Sequence, residues 1–112
     1  MIYAAIILFA LSAVLGLTIL LKWITKKDAS KAVVYSHGIV AATALVLLIV
    51  YAIQNPENFP QTSIVFFVLA ALGGFYMFIK DLQKQASPLA IAFVHALLAV
   101  TGLVTLLLFA FA

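Results

Sequence analysis

The 112-residue chain has no cysteine, and only 8% of it is charged. Without thiols there is no disulfide, no iron–sulfur cluster and no thiolate-bound metal, so zinc-finger and thiol-redox chemistry are excluded. A soluble domain is about 25% charged and about 45–50% apolar. Here 68% of the residues are hydrophobic, which excludes both an ordinary soluble domain and a disordered chain. The net charge of +3 comes from six lysines. They sit near the ends of apolar runs and form no broad basic surface, so no nucleic-acid partner is expected. No carboxylate pair, activated nucleophile or phosphate-binding loop is present, and any enzymatic activity would be oxidoreductase chemistry carried by a cofactor.

What the chain does have is long apolar runs. A membrane-spanning helix needs roughly 20 predominantly apolar residues. Four segments qualify, about 2–21, 32–53, 62–79 and 88–111, and none contains Lys, Arg, Asp or Glu. Strand-period alternation is absent, which argues against a β-barrel. The first run has no basic segment before it and is read as a retained helix rather than a signal peptide. Short connections make successive helices antiparallel neighbours. The expected fold is all-α: one integral membrane antiparallel four-helix bundle occupying residues 1–112.

The charges are sorted. Lys22, Lys26, Lys27 and Lys31 flank the first connection, Lys80 and Lys84 the third, and the second (54–61) has no basic residue. All the lysines therefore fall on one side. The positive-inside rule makes that side cytoplasmic and both termini external, as in a bacterial inner membrane. Trp23, Tyr3, Tyr51 and Phe59 lie near span ends, as interfacial aromatics do.

The chain also repeats itself at a shift of 58 residues, pairing Gly16 with Gly74, Lys22 with Lys80, Lys26 with Lys84 and His37 with His95. Coincident Leu and Ala carry little weight in apolar sequence, but rare residues do. Two hairpins, about 2–54 and 60–112, are thus parallel copies about an axis along the membrane normal.

His37 and His95 are the only titratable imidazoles, and they fall inside the second and fourth spans. Both lie roughly 10 Å inside the lysine-side boundary at 1.5 Å rise per residue. Ionisable groups at such depth face a bundle interior and mark function. Neighbour spacings of about 8–10 Å put diagonal axes roughly 14 Å apart. At that separation the two imidazoles are not expected to touch, but they can hold a haem iron between them. Gly16 and Gly74 lie at the same depth, and the pairs Ser12/Gly16 and Ala70/Gly74 thin the other two helices there. Other readings stay open. A span histidine can simply be satisfied by hydroxyl or backbone, and the glycines can serve close helix packing. A structural zinc needs four ligands where two are evident.

This pattern resembles the four-helix core of membrane b-type cytochromes, including respiratory cytochrome b. The resemblance covers nearly the whole chain and rests on His37, His95, Gly16 and Gly74. It implies that the second and fourth helices supply axial histidines and that glycines of the first and third face one haem b. In that family a second histidine often follows on each ligand helix. Here Tyr51 and Phe109 stand about fourteen residues on, so one haem is the most that the chain holds. The implied function is electron exchange with a quinone or a partner protein. Haem sensing or storage is compatible with the same site. A cofactor-free structural or accessory subunit of a membrane complex is the alternative, with oligomerisation open. Transport is a further alternative, since internal repeats are frequent in transporters.

Overall fold

A computed structural model describes residues 1–86 and 88–112. Among them are four helices: α1 (Ile2–Ile24), α2 (Lys31–Gln54), α3 (Gln61–Leu82) and α4 (Leu89–Phe111). Each is long and apolar enough to cross a membrane. The bundle measures 44 × 22 × 19 Å, and its long dimension matches the roughly 40–45 Å of a bilayer with its headgroups. Large apolar residues such as Ile7, Val14, Ile39, Leu72, Phe75, Leu97 and Leu108 lie on the outside, a surface suited to lipid rather than water.

The helices run further into the lysine-side ends than the apolar runs alone suggest. Lys22 and Trp23 belong to α1, Lys31 opens α2, and Lys80 and Asp81 close α3. Asp81 is therefore helical rather than part of a connection. Lysine sustains a helix well, and α1 and α3 stop where the backbone turns left-handed. Lys26 has φ 58° and Lys84 has φ 56°. Lys26 N–H donates to Trp23 O and Lys27 N–H to Lys22 O, at 3.0 and 2.7 Å. Lys84 N–H and Gln85 N–H repeat this on Asp81 O and Lys80 O, at 3.1 and 2.9 Å. These bonds satisfy carbonyls that a helix end leaves unpaired. At the other end of the bundle Pro60 (φ −80°, ψ 72°) makes an inverse γ-turn, with Gln61 N–H on Phe59 O at 2.9 Å, and launches α3.

The main packing is within hairpins, α1 on α2 and α3 on α4; α1–α4 and α2–α3 meet more loosely, and the diagonal pairs make no backbone approach among the described residues. The shared core lies in the half away from the lysines. It contains Ala5, Phe9, Ala44, Leu48, Phe67 and Leu106. Phe9 and Phe67 stack with ring centres 3.8 Å apart and planes 1° from parallel, plugging that half. Gly102 admits Phe67, because a Cβ there would lie 3.0 Å from its ring.

Residues equivalent in the 58-residue register meet across the bundle centre at three levels. They are Tyr51 with Phe109, Phe9 with Phe67, and His37 with His95. A residue that meets its own counterpart lies on a twofold axis. Here that axis runs along the bundle between two like hairpins.

Candidate functional site: the histidine pair

His37 and His95 occupy the less filled, lysine-side half of the bundle. Each is held by its own hairpin. His37 Nδ1 is 2.8 Å from the Ser12 carbonyl of α1, and His95 Nδ1 is 2.7 Å from the Ala70 carbonyl of α3. A carbonyl only accepts, so in both rings Nδ1 carries the proton and donates it. In the neutral ring Nε2 is then the basic nitrogen. The Ser12 hydroxyl donates to His37 O at 3.3 Å and lies 3.1 Å from the same Nδ1. Ala70 has no hydroxyl, so the second copy makes do with the carbonyl alone.

The two glycines receive the imidazoles. A Cβ on Gly16 would stand 2.8 Å from His37 Cε1, and one on Gly74 would stand 3.1 Å from His95 Cε1. The first distance is shorter than real Cβ contacts, so Gly16 is required for His37 to lie where it does. Gly73, beside Gly74, would bring a Cβ no closer than 3.7 Å to His95.

The rings approach more closely than helix spacing alone implied. Their centres are 6.1 Å apart, edge to face at 78°. The physical reason is reach: each imidazole extends several ångströms from its helix axis and takes up most of the diagonal gap.

The donor set fits a group that brings its own equatorial ligands. Among the described residues no three His, Cys, Asp or Glu side chains gather as a metal site. Haem needs only two from the protein. A metal-ligating His characteristically donates its other N–H to a backbone carbonyl or carboxylate, and both rings here do so. The seams between the hairpins are the looser contacts of the bundle.

Other polar and aromatic residues have simpler places. Thr43 and Thr101 donate to the carbonyls four residues back, Ile39 O and Leu97 O, both at 2.8 Å. Tyr35 packs edge-on against Phe78, with centres 5.7 Å apart. Lys31 pairs with Asp81 at 2.5 Å, and Lys80 donates to Gln85 at 3.0 Å with its ammonium over the Tyr76 ring. Tyr51 and Phe109 meet at 6.3 Å, so rings fill the level where the cytochrome resemblance has a second histidine pair. Sequence reading missed the anchoring carbonyls of Ser12 and Ala70. The available signal was Ser12 itself, a polar residue inside a span and one turn before Gly16. It also missed the Ser63–Thr105 hydroxyl pair at 2.9 Å, with Ser63 fully buried.

Comparison with protein-family models, with curated proteins and with solved structures finds no match to this chain.

Proposed function

We propose that the chain is a small membrane b-type cytochrome with one haem b held between His37 and His95. The observation that carries this reading is the paired anchoring of the imidazoles. Both Nδ1–H groups are committed to backbone carbonyls, which leaves two Nε2 lone pairs on rings 6.1 Å apart. The carbonyls fix each tautomer and ring orientation. Gly16 and Gly74 let the rings sit close to their neighbouring helices. When bound, the haem supplies one-electron chemistry, and two histidines leave no open position for a substrate on the iron. The chain's own contribution is to orient the ligands and to exclude water with an apolar surround.

Electrons would pass to and from a quinone or a partner protein at the lysine side, which the positive-inside rule makes cytoplasmic. That places both termini outside, with a bacterial inner membrane as the setting. Haem sensing or storage would use the same ligands. The test is purification with haem supplied and reduced-minus-oxidised spectra. A Soret band that shifts on reduction and is lost in His37→Ala and in His95→Ala is expected. No Soret band, or one indifferent to both substitutions, sinks the proposal.

One observation favours a second reading, a cofactor-free accessory subunit. The same hydrogen bonds tie α2 to α1 and α4 to α3, which is work a structural histidine does. That reading requires a stable partner in native membranes and no absorbance above the protein background.

A further inference from the structure

The two lysine-side hairpin ends are equivalent in the sequence repeat but dispose of their charge differently. Residues 80–89 carry two lysines and one acid. Lys80 donates to Gln85 at 3.0 Å and lies over the Tyr76 ring, and Asp81 meets Lys31. Residues 22–31 carry four lysines and one acid. There the register replaces each of those partners: Lys27 stands for Gln85, Thr18 for Tyr76 and Trp23 for Asp81. Among the described residues the ammonium groups of Lys22, Lys26 and Lys27 meet no acid, acceptor or ring, and Asp28, next in the chain, forms no ion pair.

The backbone concentrates these charges. Lys26 is left-handed, and Lys27 N–H returns to Lys22 O at 2.7 Å. The chain thus folds back over the last turn of α1 and gathers three exposed lysines at one helix end. A helix C-terminus favours cations, but α3 has the same polarity and carries glutamine where α1 carries the third lysine. Like charges one turn apart repel, so an anion outside the chain is needed to offset them. Trp23, the single tryptophan and half-buried, lies in the same turn, as an aromatic at headgroup level does.

We propose that the end of α1 binds the anionic phospholipid headgroups of the leaflet on the lysine side, through Lys22, Lys26 and Lys27. Ammonium groups only donate hydrogen bonds and phosphodiester oxygens only accept them, so the two sets are complementary. Free phosphate offers the same kind of oxygen. Only a lipid is anchored where a membrane-spanning helix ends, and α1 is long and apolar enough to span. The end of α3, with Lys80 and Asp81 engaged inside the bundle, is not such a site. The proposal involves neither histidine and stands apart from the haem reading.

The lone tryptophan supplies the assay. The full-length protein is reconstituted in vesicles of phosphatidylglycerol and phosphatidylcholine, with one or the other lipid brominated, and quenching of Trp23 gives their relative affinity for the α1 end. At low salt phosphatidylglycerol is expected to be preferred by about tenfold, and Lys27→Gln to lower that preference by about fivefold. Lys26→Gln should act alike, and raised salt should weaken the preference in the wild type. These side chains are exposed and glutamine sustains a helix about as well as lysine, so the fold is kept. Lys84→Gln, the change at the position equivalent to Lys26, should leave the preference as it is. Equal quenching by the two lipids in the wild type, or a preference that survives Lys26→Gln and Lys27→Gln together, overturns the site. A loss in Lys84→Gln as large as in Lys27→Gln overturns its confinement to α1. Abolition of the preference by inorganic phosphate at constant ionic strength makes a soluble anion the ligand and overturns the lipid assignment.

Discussion

Adding one methyl group in turn to each of the four glycines at the level of the histidines tests the packing around them. The same substitution meets four different surroundings. At Gly38 the new Cβ meets open space, at Gly73 it is 3.7 Å from His95 Cβ, at Gly74 it is 3.1 Å from His95 Cε1, and at Gly16 it is 2.8 Å from His37 Cε1. Replacing a mid-helix glycine by alanine stabilises by roughly 0.5–1 kcal/mol where there is room. Forcing a methyl into a filled site costs about 1–3 kcal/mol. At Gly16 the imidazole has little freedom to yield, because its Nδ1–H is tied to Ser12 O at 2.8 Å. Gly38→Ala should therefore gain about 0.5 kcal/mol, while Gly16→Ala should lose about 1–2 kcal/mol, with Gly73→Ala and Gly74→Ala between them in that order. The assay is reversible unfolding in mixed micelles by increasing SDS, followed by far-UV circular dichroism. If Gly16→Ala is as stable as Gly38→Ala, the His37 ring does not lie against α1, and the geometry of the site is wrong.

Other outcomes follow from single contacts. Lys26→Gly and Lys84→Gly relieve left-handed backbone at a non-glycine residue, and each should raise stability by about 1 kcal/mol in the same unfolding assay. Ser12→Ala should cost less than about 1 kcal/mol, since His37 keeps its bond to the backbone carbonyl and the other hairpin already works with Ala70; a loss as large as that of His37→Ala would contradict this. Asp81→Asn breaks a bridge whose lysine side chain is 56% exposed, so the loss should stay below about 1 kcal/mol and shrink further in high salt.

Hydropathy made the four spans and their alternating direction legible, because the apolar runs are long and the charges between them few. The boundaries were less so. Apolar runs end where lysines begin, but the helices continue through Lys22 and Lys80 to left-handed turns that no glycine announces. His37 and His95 stood out as rare residues in one repeat register. Their mutual approach did not, because it depends on side-chain reach rather than on axis spacing. Least visible were the anchors. Backbone carbonyls leave no signature in sequence, and nothing in the letters distinguishes the carbonyl of Ala70 from that of any other alanine in α3. Likewise Gly16 and Gly38 look alike on paper, yet one lies against a ring and the other borders empty space.

The three ring pairs on the bundle axis join each hairpin to its equivalent, and two identical hairpins would make such contacts too. The Lys31–Asp81 bridge is different: in the repeat register Leu89 stands opposite Lys31, and Trp23 opposite Asp81. Two copies of the first hairpin would have Lys31 but a tryptophan at the position of the acid, and two copies of the second would have Asp81 but a leucine at the position of the lysine. The symmetric contacts give the hairpins a way to associate, and this unsymmetric one makes the mixed pair the better match. A chain cut in the 55–60 turn should accordingly reassemble from its two different halves in preference to either half with itself.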